Sequence, residues 1–219
     1  AREEGKTLPE AIGEVTRAGQ IFKFFAGEAL RVQGETMASV RPGVQIDVTR
    51  EPVGVVGLIA PWNFPFAIPA WKIAPALAYG NTVVFKPAEL VPACGWALAE
   101  IISRCGLPAG AFNLVMGSGR EVGQTLVDST LVNALSFTGS VATGERILQG
   151  TAARRAKVQL EMGGKNPLVV LADADLETAV ECALQGSFFS TGQRCTASSR
   201  LIVQAAVHDT FVARLRERM

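Results

Sequence analysis

From Thr7 to Gln33, apolar residues return at helical spacing: Ile12, Val15, Ile21, Phe24 and Phe25. That period predicts one amphipathic helix. The period then changes. Val40, Val44, Ile46 and Val48 alternate around the turn Arg41-Pro42-Gly43, which predicts a β-hairpin arm over Gly34 to Arg50. Such an arm has too few apolar residues to stand alone, so it is expected to lie on another surface, such as that of a second subunit.

After Pro52 the pattern becomes strand, turn, helix, repeated. Strands are predicted at Val53–Ala60, Thr82–Phe85, Phe112–Met116, Ala134–Phe137 and Val158–Glu161. Helices are predicted at Pro65–Ala78, from about Pro92 to Cys105, from Arg120 to Val127, and from Val141 to Ala153. A second unit starts near Gly164, with a strand at Pro167–Leu171 and a helix capped by Asp173-Ala174-Asp175 and running to about Phe189. The strand Leu201–Val203 and a helix from about His208 follow. Continuous apolar strands alternating with helices imply an α/β fold, a Rossmann-like parallel sheet covered on both faces.

Composition narrows the class. At 219 residues the chain suits one large domain or two small ones, and 48% hydrophobic with 19% charged residues suits a buried core. A net charge of +1, with no long run of either sign, excludes a nucleic-acid or membrane-surface protein driven by bulk electrostatics. The most apolar region, Val53 to Tyr79, holds four prolines and Lys72, so it reads as a buried strand and a Pro-rich helix. Cys94, Cys105, Cys182 and Cys195 form no C-x-x-C pair, which argues against a disulfide framework or metal site and for a reducing, cytoplasmic compartment. The polar first ten residues do not resemble a signal peptide. The chain starts mid-helix and stops at Arg216-Glu217-Arg218-Met219 in an unfinished one, so it reads as a fragment.

Ligands of an open parallel sheet bind beyond the carboxyl ends of its strands. The turns expected there are Ala60-Pro61-Trp62-Asn63-Phe64-Pro65, Lys86-Pro87-Ala88-Glu89, Gly117-Ser118-Gly119, and Thr138-Gly139-Ser140 continuing to Gly144. Gly117-x-Gly119-x-x-x-Gly123 is either a stretched dinucleotide fingerprint or only a tight turn. The fourth turn opens a helix whose N-terminal amides suit a pyrophosphate. Lys86 and Glu89 could hold ribose hydroxyls or form a solvated pair. Asn63, between aromatics and prolines, is a candidate oxyanion donor or a turn cap. Glu161, at the seam of the two units, is a candidate base or a partner for Lys165 or Arg194. Cys195 follows Phe188-Phe189 and Arg194; the phenylalanines could wall an apolar entrance, and the arginine would favour thiolate. A cysteine hydrolase needs an imidazole beside its thiol. The single histidine, His208, stands beside Asp209 at a helix start as a surface cap, which leaves Glu161 as the carboxylate to serve Cys195. Nucleophile, base and dinucleotide-type sheet together suggest aldehyde oxidation through a thioester.

Five motifs carry a resemblance: Pro61-Trp62-Asn63-Phe64-Pro65, Lys86-Pro87-Ala88-Glu89, Phe137-Thr138-Gly139-Ser140 with Gly144, Glu161-Met162-Gly163-Gly164-Lys165, and Gly192-Gln193-Arg194-Cys195. In this order and spacing, from Pro52 to the chain end, they resemble the NAD(P)-dependent aldehyde dehydrogenases. The resemblance implies that Cys195 attacks the aldehyde, that the Asn63 amide and Cys195 N–H hold the oxyanion, and that Glu161 activates the hydrolytic water. It implies NAD, with NADP also possible, held by Ala60, Trp62, Lys86, Glu89, Gly139 and Ser140, which Gly117 of the glycine-spaced turn joins as a cofactor-binding candidate; the charge of Glu89 favours NAD.

The stretches Phe85–Pro92 and Ser190–Val203 are most similar to the members that oxidise carboxylate-bearing semialdehydes such as 2,5-dioxopentanoate. That makes Phe188 and Arg194 candidate substrate contacts. The implied organisation is a dinucleotide-binding domain (1–33 and 52–162), an oligomerisation arm (34–51) serving a homodimer or homotetramer, and the start of a catalytic domain (163–219). The family's Glu-x-Phe-Gly-Pro motif, expected to position the nicotinamide ribose and ring, does not occur here, so the isolated piece is expected to be inactive or poorly folded. Two rivals stand beside this reading. One is an acylating relative, against which Glu161 argues. The other is a non-catalytic scaffold, against which Cys195, Glu161 and Asn63 together argue.

Overall fold

The computed structural model describes residues 1–219. Helix α1 spans Leu8–Glu28. Thr7 starts it with a capping box, its hydroxyl accepting from the Glu10 N–H while the Glu10 carboxylate accepts from the Thr7 N–H. The helix tightens to a 3₁₀ turn at Ala29–Arg31 and stops short of the expected Gln33. The chain must turn there into the hairpin, where a Cβ on Gly34 would lie 2.4 Å from the Val48 carbonyl oxygen. Strands β1 (Glu35–Ala38) and β2 (Gln45–Val48) pair antiparallel, Glu35 opposite Val48, as the alternation predicts. Gly43, at φ +77°, supplies the left-handed turn residue. All eight strand residues are exposed.

The main sheet holds β3 (Val55–Ile59), β4 (Thr82–Lys86), β5 (Phe112–Leu114), β6 (Ala134–Gly139) and β7 (Lys157–Met162). Their spatial order is β5-β4-β3-β6-β7, all parallel. The chain runs outward from β3 through β4 to β5, then crosses back to begin β6 on the other side of β3. The crevice between the carboxyl ends of β3 and β6 is therefore the topological switch point.

Helices α2 (Ala67–Ala78) and α3 (Pro92–Ser103) cover one face over Leu58, Ile73, Val83, Phe85, Leu98 and Ile102. Helices α4 (Gln124–Asp128) and α5 (Val141–Ala152) cover the other over Leu126, Leu135, Phe137 and Ile147. Phe85 is wholly buried, and its truncation to alanine would cost about 3–5 kcal/mol. Helix α4 is shorter than expected. Gly119–Gly123 forms a π-type turn instead, capped by the Ser118 hydroxyl and closed by the Gly123 N–H on the Ser118 carbonyl.

Strand β7 closes this sheet, and β8 (Asn166–Val170) opens another. It pairs in parallel with β9 (Ser198–Val203) across α6 (Leu176–Phe188), and α7 (Ala205–Arg218) completes the unit. Val170, Val180, Ala183 and Phe211 form its core. The helix cap of α6 is Asp175, whose carboxylate accepts from the Thr178 N–H. His208 is not a cap. Helix α7 starts at Ala205 after Gln204, so His208 lies exposed on its first turn beside Asp209.

Candidate active site

A cleft of about 390 Å³ lies beyond the carboxyl ends of β3, β6 and β7, and Trp62, Asn63, Gly139, Ser140, Glu161, Arg194 and Cys195 all line it. The parallel register explains part of this convergence: Thr138 sits opposite Glu161 and Gly139 opposite Met162, so the ends of β6 and β7 share one rim. Strand β3 delivers Pro61-Trp62-Asn63 beside them, and the α6–β9 connection brings Cys195 from the second unit.

The connection carrying Cys195 is strained. Ser190 and Thr191 adopt left-handed conformations at φ 53° and 56°, followed by Gly192 at φ 70°. Each non-glycine residue so held costs on the order of 1–3 kcal/mol, and such strain persists only where neighbours over-determine it. Here the Glu10 carboxylate accepts from the Ser190 N–H at 2.7 Å, the Gln193 N–H donates to the Ser190 carbonyl, and the Asn166 amide donates to the Cys195 carbonyl at 2.6 Å.

Asn63 is tied to the same loop. Its Nδ2 donates to the Gln193 carbonyl at 2.8 Å, while its Oδ1 is buried without a partner. A carbonyl accepts and cannot donate, so this contact fixes which end of the amide is NH₂. One N–H remains for the cleft. The Asn63 backbone is held too: the buried Lys6 ammonium donates to its carbonyl at 2.8 Å, to Glu14 at 2.6 Å, and sits over the Phe64 ring. Glu14 in turn accepts from the N–H groups of Phe66 and Ala67 at the start of α2. Helix α1 thus braces both loops that carry Asn63 and Cys195.

Glu161 is exposed to the cleft, and its Oε1 accepts from the Gln159 amide at 2.7 Å. The Gln159 carbonyl oxygen accepts from the Ser136 hydroxyl and from the Lys72 ammonium at 3.3 Å. Lys72 also donates to Ser136 at 2.7 Å. Burial lowers the Lys72 pKa to about 8, against the opposing pull of the Glu161 charge. Lys6, Glu10, Glu14, Lys72 and Gln159 were not singled out by sequence pattern. For β7 a signal existed: Lys157, Gln159 and Glu161 occupy alternate positions and so one face.

The remaining cofactor candidates lie beside the cleft. Ala60, Lys86, Glu89 and Gly117 do not line it. Buried Lys86 donates to the Pro87 carbonyl, and its pKa is lowered by burial against the pull of Glu89. The Ala60 N–H pairs with the Lys86 carbonyl, joining the ends of β3 and β4. Glu89 accepts from the Gly119 N–H at 2.7 Å, and Gly119 borders an adjacent cavity of about 380 Å³ that also touches Arg120, Thr143 and Arg146. Gly117 takes φ +147°, where a Cβ would meet Val122. A Cβ on Gly139 would strike Phe137, and one on Gly144 would strike Met162. The Ser140 hydroxyl caps α5 by accepting from the Thr143 N–H. A glycine-spaced turn, an open helix N-terminus and an adjoining cavity with two arginines fit a dinucleotide.

Two expectations change. Phe188 is half exposed and lines neither the cleft nor its neighbour, because α6 ends on it. Arg194 lines the cleft but turns its guanidinium back: Nη2 donates to the Gln185 and Gly186 carbonyls at 2.7 and 2.9 Å, and the group stacks 4.9 Å from the Phe189 ring. Nη2 so satisfies the last turn of α6, while Nε is buried without a partner. A cavity of about 430 Å³ between Trp96 and Leu114 is lined by Glu100 and Ser103, whose hydroxyl donates to the Glu100 backbone carbonyl, and none of Cys195, Glu161 and Asn63 reaches it.

A parallel α/β sheet whose switch point gathers a cysteine, a carboxylate and a side-chain amide defines a dehydrogenase-like class, and the comparisons agree. The chain belongs to the aldehyde dehydrogenase family, whose model matches residues 1–219. It is 53% identical over 218 residues to the alpha-ketoglutaric semialdehyde dehydrogenase of Bacillus subtilis, covering 99% of this chain and 44% of that protein. It is 50% identical over 219 residues to the 2,5-dioxopentanoate dehydrogenase of Saccharolobus solfataricus, covering 99% of this chain and 46% of that one. Among solved structures, betaine aldehyde dehydrogenase from Staphylococcus aureus in complex with NAD+ superposes with a TM-score of 0.96 at 41% identity, over 99% of this chain and 43% of that one. An NADP dependent enzyme from E. coli superposes equally well at 44% identity, over 99% and 45%. The chain therefore spans less than half the length of these relatives.

Proposed function

We propose that the protein containing these residues oxidises an aldehyde to its carboxylic acid with NAD, or NADP, as oxidant, and that the aldehyde is a carboxylate-bearing semialdehyde such as 2,5-dioxopentanoate. The observation that carries this is the meeting of Cys195, Glu161 and Asn63 on one cleft at the switch point. The semialdehyde assignment is supported by the names of the similar B. subtilis and S. solfataricus enzymes.

In this mechanism the Cys195 thiolate attacks the carbonyl carbon, and the C–S bond forms as the oxygen takes up the negative charge. The free Asn63 N–H, held in place by Gln193, donates to that oxygen together with the Cys195 N–H. A bound nicotinamide dinucleotide supplies the hydride acceptor. Once the carbon is oxidised, Cys195 carries the acyl group as a thioester. Glu161, oriented by Gln159, takes a proton from water as its oxygen attacks; the C–S bond breaks and the acid leaves. Gly139, Ser140 and the start of α5 would hold the pyrophosphate, and the Glu89 carboxylate, which accepts from the Gly119 N–H, would face the ribose, where its charge would disfavour a 2′-phosphate and favour NAD.

The test is a screen of semialdehydes and plain aliphatic aldehydes in the full-length protein, following NADH. Semialdehydes are expected to be oxidised to free acids with or without coenzyme A. Acyl-coenzyme A as the product would replace the hydrolytic assignment of Glu161 with an acylating one.

A further inference from the structure

The two segments that frame the cleft also frame a second cavity of about 470 Å³. Phe64, the residue after Asn63, and Phe189-Ser190, just before Gly192-Gln193, form one side; α1 forms the other with Glu10, Glu14 and Arg17 at one-turn spacing. The acids there are already engaged. Glu10 accepts from the Ser190 N–H and from Thr7; Glu14 accepts from Lys6 and from the Phe66 and Ala67 N–H groups. Arg17 pairs with neither. Its guanidinium carbon lies over the Trp71 ring, 5.5 Å from the centroid, and Nη1 makes one long contact, 3.4 Å, to the Gln20 amide oxygen. It is the cation lining this cavity, with no carboxylate partner; Arg194 lines the other cleft and turns its Nη2 to the carbonyls of α6.

We propose that Arg17 holds the substrate's carboxylate, so that an aldehyde with an acid at its far end lies along Phe64 and Phe189 with its carbonyl toward Cys195. This rests on the aldehyde-oxidising reading and supplies the specificity determinant that Arg194 does not. A guanidinium set over an aromatic ring can present a two-pronged edge to a carboxylate, and the rings of Phe64 and Phe189 give the chain between carboxylate and aldehyde an apolar wall.

The test compares glutaric semialdehyde with pentanal, which share five carbons and differ in the carboxylate, in the full-length protein. The readout is the ratio of their kcat/KM values. Arg17→Met is expected to lower that ratio roughly ten- to a hundred-fold, chiefly through KM for the acid, as loss of a charge-assisted hydrogen bond does. Arg17→Lys is expected to keep part of it, having the charge without the fork. A ratio that stays constant overturns the proposal, whether both substrates keep their rates or both fall together because Arg17 only supports Trp71. If the unaltered protein oxidises neither aldehyde, the broader reading fails first, and that result is distinct from a constant ratio.

Discussion

Asn63 shows how one side chain can be specified by its surroundings. Its amide is oriented by the Gln193 carbonyl, its own carbonyl is held by buried Lys6, and Phe64 and Pro65 follow it directly. The candidate roles of Asn63, Glu161 and Cys195 were legible because each stood in a short rigid context at a strand end or loop. Arg194 was legible as a cation beside a cysteine, but not as one facing the carbonyls of α6, because adjacency in sequence says nothing about where a long side chain turns. Arg17 was illegible for the converse reason: on a surface helix it reads as solvated, and only tertiary packing brings it over Trp71 and to the edge of a cavity walled by Phe64 and Phe189. An oxyanion donor is worth about 3–4 kcal/mol in the transition state. Asn63→Ala in the full-length protein is therefore expected to lower kcat by roughly two to three orders of magnitude with KM nearly constant. Steady-state kinetics check this, and a rise in KM with kcat preserved would assign Asn63 to binding alone.

At the level of elements, the sheet was readable from alternation and the covering helices from their period, and most differences are shifts of a few residues at the ends. The short α4 differs because the Ser118 cap and a π-type turn decide its start, which periodicity does not encode; α7 starts earlier than expected, at Ala205, with no side-chain cap. Strand β7 and helix α2 carry a second lesson. Lys72 looked like an interruption in an apolar stretch, yet it lies buried and linked through Gln159 to Glu161. Its folded pKa of about 8 lies below the ordinary lysine value of 10.5. Below pH 8 both folded and unfolded chains are protonated, and the folded state carries the burden of a buried cation. Between about 8 and 10.5 the unfolded chain binds more protons, so stability rises with pH through that window. Lys72→Met removes the titration. The stability of the variant relative to the unaltered protein is expected to be higher at pH 7 than at pH 9.5, whatever constant cost the lost hydrogen bonds to Ser136 and Gln159 impose. Denaturant unfolding at the two pH values measures this, and an equal difference at both would show that Lys72 titrates as an ordinary exposed lysine.

Across the whole molecule, three parts far apart in sequence meet at one place: α1 and the residues just before it supply Glu10 and Lys6, the dinucleotide-type sheet supplies Asn63 and Glu161, and the second unit supplies Cys195. The change from one sheet to the next at residues 163–165 was visible as glycines between two strands, and the hairpin as a change of period. The bracing of both active loops by α1 was not visible, because it depends on charged residues of an amphipathic helix facing inward, opposite to what their polarity suggests. The central claim is that Cys195 and Glu161 act on the same carbon in succession. It is tested most directly by rapid-mixing measurement of NADH formation in the full-length protein carrying Glu161→Gln. A burst close to one NADH per active site, followed by collapsed steady turnover, is the expected result, because oxidation needs the thiolate while hydrolysis needs the carboxylate. Loss of the burst together with turnover, with cofactor still bound, would contradict it.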